Sequence, residues 1–262
     1  MIIPVFEGGL GNIMFQLGSC YSIAKKTGHR FGINSMPIPP CHHSSKTNYM
    51  DTIFAPWNKY MICDDIHTTF QIDEINGYPL TKEQYKSIIS HNENIISLHG
   101  YFQNESYLRP YRDEIINMFS LTLDEHVQRK YDDIDNSYFL HVRRGDYVGN
   151  KFHEMDLTDY YREGIDRIGN GHVCYVASND IGWCEDCTFL QDISCKYIKE
   201  NEVDTLAIMS RCKLGGISAN SSFSWWGLYL DINRPYLIMP SRWFPHDILY
   251  QRGYIFKEAY TL

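Results

Sequence analysis

From Ser137 onward the chain alternates short apolar runs with stretches of helical periodicity, and the apolar runs break off into polar clusters. Tyr138 to Val142 leads into His141-Val-Arg-Arg-Gly-Asp-Tyr147, His172 to Ala177 into Ser178-Asn-Asp180, and Leu214 to Ala219 into Asn220-Ser-Ser-Phe-Ser224. Tyr236 to Met239 is the last such run. Thr158 to Ile168, Val203 to Lys213 and Ser222 to Ile232 read as the intervening helices. Continuous rather than alternating apolar runs suit strands covered on both faces. Repeated strand and helix in this order predicts an α/β fold with a doubly wound parallel sheet, whose ligands gather beyond the carboxyl ends of the strands.

The opening segment fits the same scheme. Ile2 to Phe6 reads as a strand, Gly8-Gly-Leu-Gly-Asn12 as a turn, and Met14, Leu17, Tyr21 and Ala24 as the apolar face of an amphipathic helix. Asn12 is its expected N-cap, and Gly28, just past Lys25 and Lys26, its stop. Residues 34 to 94, with Pro37, Pro39, Pro40, His42 and His43, predict irregular connections and helices. Asn94 to Leu98 reads as a strand, and 105 to 130 as a helix crossing between two halves, 1–130 and 131–262, with a cleft between them.

Composition excludes several classes. The net charge of −8 over 262 residues, with no basic stripe, argues against nucleic acid or an anionic membrane surface as partner, so any anionic ligand needs a local cluster of cations. The N-terminus lacks a basic segment followed by an apolar one, and nowhere does a run approach the ~20 apolar residues of a membrane span. A chain that is cytoplasmic or otherwise soluble is expected. The eight cysteines at 20, 41, 63, 174, 184, 187, 195 and 212 are expected as free thiols in a chain too large to need disulfides. Cys184 and Cys187, with Cys195 and His172 nearby, have half a zinc spacing and no second half. Sequons stand at Asn104 and Asn220.

The chemistry lies at the strand ends. Alternation along an extended strand sets His141 and Arg143 on one side and Arg144 on the other, so Arg143 is the candidate for a ligand phosphate and Arg144 for an internal pair with Asp146. Ser221, Ser222 and Phe223 stand at a helix N-terminus whose N–H groups can cap the helix or receive an anion. A guanidinium fork facing such a terminus makes a diphosphate clamp. Ser178 and Asp180 are candidates for nucleoside contacts, or, in the plainer structural reading, for an N-cap. Gly9 and Gly11 lack the third glycine of a dinucleotide fingerprint, because Met14 stands in its place. The Asp133-Ile-Asp135 pair precedes its strand and therefore lies at the wrong end of the sheet for a metal that neutralises a leaving group. No metal and no other cofactor is expected.

Taken in order, Gly8-Gly-Leu-Gly-Asn-Ile-Met-Phe-Gln16, Leu98-His-Gly-Tyr-Phe-Gln103, His141 to Val148 followed by Asp159-Tyr-Tyr161, Val176 to Trp183 and Ile217 to Gly227 resemble the motifs of the α-1,2-fucosyltransferases of glycosyltransferase family eleven. The resemblance implies a GT-B-like pair of Rossmann-like halves and metal-independent, inverting transfer of L-fucose from GDP-fucose to a glycan acceptor, with O2 of a terminal galactose as the implied target. It implies that His141 and Arg143 contact the donor diphosphate, that Asp180 lies near the guanosine, and that Asn220, Ser221 and Ser222 lie near the phosphates. Gly9, Gly11 and Asn12 would line the acceptor side. Ile13, Leu17-Gly18 and Asn179 depart from the usual glutamine, Tyr-Ala and aspartate. A proton acceptor would come from Asp146, His153, Glu154 or Asp156, among which the sequence does not choose. The alternatives are another linkage or donor, or a catalytically inactive glycan-binding protein on the same scaffold. A dinucleotide oxidoreductase is disfavoured by the incomplete glycine fingerprint.

Overall fold

Two apolar strands too short to be stable alone hold the amino-terminal part together through one another. In a computed structural model describing residues 1–34, 49–62, 67–75, 78–92, 94–246 and 253–262, β1 (Ile2–Pro4) lies parallel to β5 (Ile96–His99). The other flank of β5 pairs in parallel with β4 (Phe70–Asp73), giving the order β1-β5-β4. A separate parallel pair joins β2 (Ile33–Asn34) to β3 (Met61–Ile62). Pro37, Pro39, Pro40, Cys41, His42, His43 and Cys63 lie outside the described residues.

Helix α1 (Leu10–Thr27) differs from expectation in two ways. It starts at Leu10 with Gly9 as N-cap, which leaves Asn12 inside the first turn. It is also not amphipathic: every residue from Ile13 to Ala24 is buried, as suits a helix at the centre of a core. Its expected stop is present, because Gly28 takes φ 75 and returns its N–H to the Ala24 and Lys25 carbonyls, a left-handed conformation that glycine adopts without penalty. α2 (Lys82–Ser90) opens on a capping box, with Thr81 and Gln84 each bonding the other's backbone N–H.

The single helix expected over 105–130 is instead a series of short pieces. α3 (Glu105–Leu108) passes through a 3₁₀ turn at Arg109–Tyr111 into α4 (Arg112–Ile116), and α5 (Glu125–Lys130) follows separately. Pro110 has no N–H to donate, and it sits in that turn. Internal packing divides the chain into two units, Met1–Ser120 with Arg252–Tyr254, and Leu121–Gln251 with Ile255–Leu262.

The second unit is built on six parallel strands. They are β6 (Ser137–Val142), β7 (Val173–Ser178), β8 (Cys195–Tyr197), β9 (Gly215–Ile217), β10 (Tyr236–Met239) and β11 (Tyr260–Thr261). Their spatial order is β8-β7-β6-β9-β10-β11. The chain therefore runs outward from β6 in one direction and, after β8, crosses back to run outward in the other, which places the switch point between β6 and β9. α6 (Thr158–Ile168), α7 (Ile181–Glu185) and α8 (Thr188–Gln191) supply Tyr161, Ile165, Ile168, Cys184 and Leu190 to the face carrying Tyr138, Leu140 and Val142. On the Phe139 face, a Cβ at Gly227 of α10 (Ser222–Tyr229) would lie 3.2 Å from both Phe139 Cζ and Met209 Cε of α9 (Glu202–Arg211). Helices thus cover both faces of the sheet.

The carboxyl ends of α9 and α10 meet at one cation. Arg234, buried, donates from Nη1 to the Met209 and Cys212 carbonyls at 2.9 and 3.3 Å. Its Nη2 donates to the Gly227 and Leu228 carbonyls at 2.5 and 2.9 Å. These are the acceptors a helix end leaves without partners of its own. Among the described residues, no helix is long and apolar enough to cross a membrane. Cys20, Cys174, Cys184, Cys187, Cys195 and Cys212 are free thiols, and no group of three or more His, Cys, Asp or Glu among the described residues is disposed to hold a metal ion.

Candidate active site

β6 ends on charge that its own loop and the loop after β7 receive. His141, the penultimate residue of the strand, is buried, and its Nδ1 has no hydrogen-bond partner. Burial and the nearby Arg143 cation push its pKa down to about 3, so the ring is neutral. It lies 5.6 Å from the Phe223 ring, in the first turn of α10. Arg143 follows, its side chain 18% exposed, with Nη2 2.8 and 2.9 Å from the two carboxylate oxygens of Asp146 and its guanidinium 5.3 Å from the centre of the Tyr147 ring.

The expected partnership of Arg144 with Asp146 is therefore corrected. Asp146 goes to Arg143, and Arg144 goes to Asp180, Nε to Oδ2 at 3.3 Å, while its guanidinium lies 4.2 Å from the Trp183 ring centre. Asn179 decides the exchange. Its Oδ1 accepts the Arg144 N–H at 2.9 Å and its Nδ2 donates to Asp146 Oδ1 at 3.3 Å. A Cβ at Gly145 would stand 2.2 Å from Asn179 Nδ2, so any larger residue there would displace the amide that joins these loops. Asp180 also caps α7 by accepting the Trp183 N–H at 3.2 Å, and Ser178 Oγ accepts the Asp180 N–H at 2.9 Å. Of the two sequence readings of Asp180 the N-cap is present, and its pairing with Arg144 was not expected from the sequence.

Across the switch point, Ser221 is the N-cap of α10, but no side chain caps the helix and no acidic residue stands in its first turn. Ser224 Oγ instead accepts the Ala219 N–H at 3.1 Å. Ser221 is buried, whereas Ser222 and Phe223 are half-buried at the helix start. Asn220 is occupied with scaffolding: its amide donates to the His153 and Trp243 carbonyls at 3.0 and 3.1 Å, and its own carbonyl accepts the Tyr147 hydroxyl at 3.2 Å. The tryptophans that follow, Trp225 and Trp226, are core residues.

The candidate proton acceptors are engaged locally. His153 stacks on Tyr147 at 4.8 Å and lies 5.8 Å from Phe244, and burial lowers its pKa. Glu154 accepts the Gly149 N–H at 3.0 Å. Asp156 accepts the Thr158 N–H at 3.0 Å, and that bond holds its pKa below the usual range. Asp133, of the Asp-x-Asp pair ahead of β6, is paired with Lys196.

Gly9, Gly11 and Asn12 belong to the first unit. There Asn12 Oδ1 accepts from Gln103 Nε2 at 2.5 Å, and Gln103 Oε1 accepts the Tyr254 hydroxyl at 2.6 Å. Gln16 accepts the Glu7 N–H at 3.1 Å and donates to the Gly100 carbonyl at 3.0 Å. The two amino-terminal motifs are thus tied together by side-chain amides. Glu7, Glu74 and Tyr101 had no assigned role in the sequence, where the only signal for them was proximity to the glycine turn and to the Gly100-Tyr-Phe motif.

Parallel sheets flanked by helices, with a switch point between β6 and β9, define an α/β protein of the GT-B-like kind. The chain belongs to glycosyltransferase family 11, whose model matches residues 5–260. It is 30% identical to an α-1,2-colitosyltransferase of Escherichia coli, over 95% of this chain and 94% of that protein. It is 28% identical to the O-antigen biosynthesis glycosyltransferase WbnK of the same species, over 91% and 93%. In fold it is similar to the NodZ α-1,6-fucosyltransferase soaked with GDP-fucose, with a TM-score of 0.52 at 14% identity, covering 87% of this chain and 92% of that one. The activity is that of a fucosyltransferase-like glycosyltransferase.

Proposed function

We propose that the chain transfers L-fucose from GDP-fucose to O2 of a terminal galactose-type residue, with inversion and without a divalent cation. The observation that carries this reading is the approach of His141, at the end of β6, to Phe223 in the first turn of α10 after β9, with Arg143 following on the same strand end beside the switch point. Cleavage of the fucose–phosphate bond leaves its electron pair on a β-phosphate oxygen as the sugar acquires oxocarbenium character. The Arg143 guanidinium and the α10 N-terminus neutralise that charge, and the neutral imidazole of His141 offers an N–H to it. Asp146 holds Arg143 in place, while Arg144 keeps the 178–180 loop against the turn. Because Asp146 and Glu154 are engaged within their own loops, the acceptor proton passes to neither of them and leaves late, to solvent water or the departing diphosphate.

The name of the 30% identical relative favours one second reading, the same chemistry with a colitose donor. Incubation with GDP-fucose or a colitose donor, a β-galactoside and EDTA, followed by linkage determination, tests both. The expected product is α-1,2-fucosyl galactoside. Turnover only with the colitose donor would replace fucose as the donor. Loss of turnover in EDTA, restored by Mg²⁺ or Mn²⁺, would overturn the cation-free mechanism.

A further inference from the structure

Phe102 is the only residue other than glycine with positive φ among the described residues, at 49°. A bulky side chain there costs about 1–3 kcal/mol and persists where the surroundings hold it, most often at functional sites. Here the hold is complete. The Phe102 ring is buried, its N–H donates to Glu74 Oε2 at 2.8 Å, and its carbonyl accepts the Ser19 hydroxyl at 3.0 Å and the Asn104 N–H at 2.8 Å. Gly100, at φ 140, leaves only 2.5 Å between a would-be Cβ and the Cβ of Glu74. Glu74 also draws on the Tyr101 N–H.

The residue at the crest of this turn points away from the core, for Tyr101 is 44% exposed. The buried Gln16 amide, bonded to Gly100 on one side and Glu7 on the other, sets the exposed Glu7 beside it. The Glu7 charge contributes to raising the Tyr101 pKa, behind burial as the larger cause. An exposed aromatic ring on a firmly held turn, with a carboxylate near it, matches a pyranose, whose C–H groups can lie on the ring while its hydroxyls donate charge-assisted hydrogen bonds.

We propose that Tyr101 and Glu7 form the acceptor-sugar subsite of the first unit, the ring stacking on the galactose-type residue and the carboxylate accepting from its hydroxyls. This rests on the transferase reading above. Asn12, occupied by Gln103, is a scaffold residue beside the subsite.

Saturation-transfer NMR of the full chain with methyl β-galactoside, together with steady-state kinetics, tests the proposal. In Tyr101→Ala and Glu7→Gln the saturation transfer falls and the acceptor KM rises on the order of tenfold, while calorimetric GDP affinity stays within about twofold of wild type and shows that the fold is intact. Tyr101→Phe, which keeps the ring, recovers most of the loss. Unchanged saturation transfer and acceptor KM in both variants would overturn the subsite, as would wild-type protein that shows no saturation transfer from the galactoside. Variants that lose saturation transfer while wild type turns over neither donor would instead overturn the transferase reading and leave a sugar-binding ledge.

Discussion

The two units solve the same problem at their strand ends with opposite chemistry. In the second unit the loops are locked by paired charges, Arg143 with Asp146 and Arg144 with Asp180, and the neutral amide of Asn179 keeps the pairs apart. In the first unit neutral amides do the locking, Gln16 between Glu7 and Gly100 and Gln103 between Asn12 and Tyr254, and the carboxyl that joins them is the half-buried Glu74. A site for a phosphate anion must keep cations near the surface and can compensate them internally. A site for an uncharged sugar needs an oriented ring and a few hydrogen-bonding groups.

The largest effect should come from the charged side. Arg143→Lys keeps the cation but loses the planar fork, so turnover should fall at least ~100-fold while thermal unfolding stays near that of wild type. A fall of less than about threefold would show that Arg143 serves only Asp146.

On the amide side the sharpest probe is Glu74. Burial pushes its pKa up to about 7, against the opposing bonds from the Phe102 and Tyr101 N–H groups. Its folded pKa lies above the unfolded value, so the native state holds the proton more tightly. The contribution of Glu74 to stability is therefore greatest at low pH and falls as pH rises from about 4.5 to about 7. At roughly 1.4 kcal/mol for each tenfold difference in proton affinity, the loss is at most about 3 kcal/mol, and Glu74→Gln should abolish that slope in denaturant titrations across pH 4 to 8. An unaltered slope would assign it to other groups. His141 contributes in the opposite sense: held neutral in the fold, it loses stability as pH drops below about 6.5.

The smallest effect tests Glu154 as a base. Glu154→Gln still offers an oxygen to the Gly149 N–H, and turnover should stay within about threefold of wild type. A dedicated general base would cost about 100-fold or more.

Regular strand and helix periods were legible in the sequence where both faces of an element are covered. α6 and β10 fall on their predicted bounds, and the polar clusters do stand at the ends of β6, β7 and β9. Short edge strands left no such mark. β4 carries Gln71 between its two apolar residues and ends on Asp73, and β8 and β11 have three and two residues. The helical pattern after Glu105 was real but could not survive Pro110. The partners of Arg143 and Arg144 were beyond reach because Asn179, 35 residues further along, makes the choice. The same holds for Gln16 and Gln103, which the motifs displayed but whose partners lie 84 and 91 residues away.

Arg234 extends the architecture of the site in an unexpected direction. Parallel strands send α9 and α10 away from the ligand edge of the sheet, so the carboxyl termini they share with this guanidinium lie at the opposite edge. A terminus anchored there fixes the line along which α10 aims its first N–H groups. The direction of the electrostatic field felt by a departing diphosphate would thus be trimmed by a side chain that never meets it, a full helix length from the chemistry.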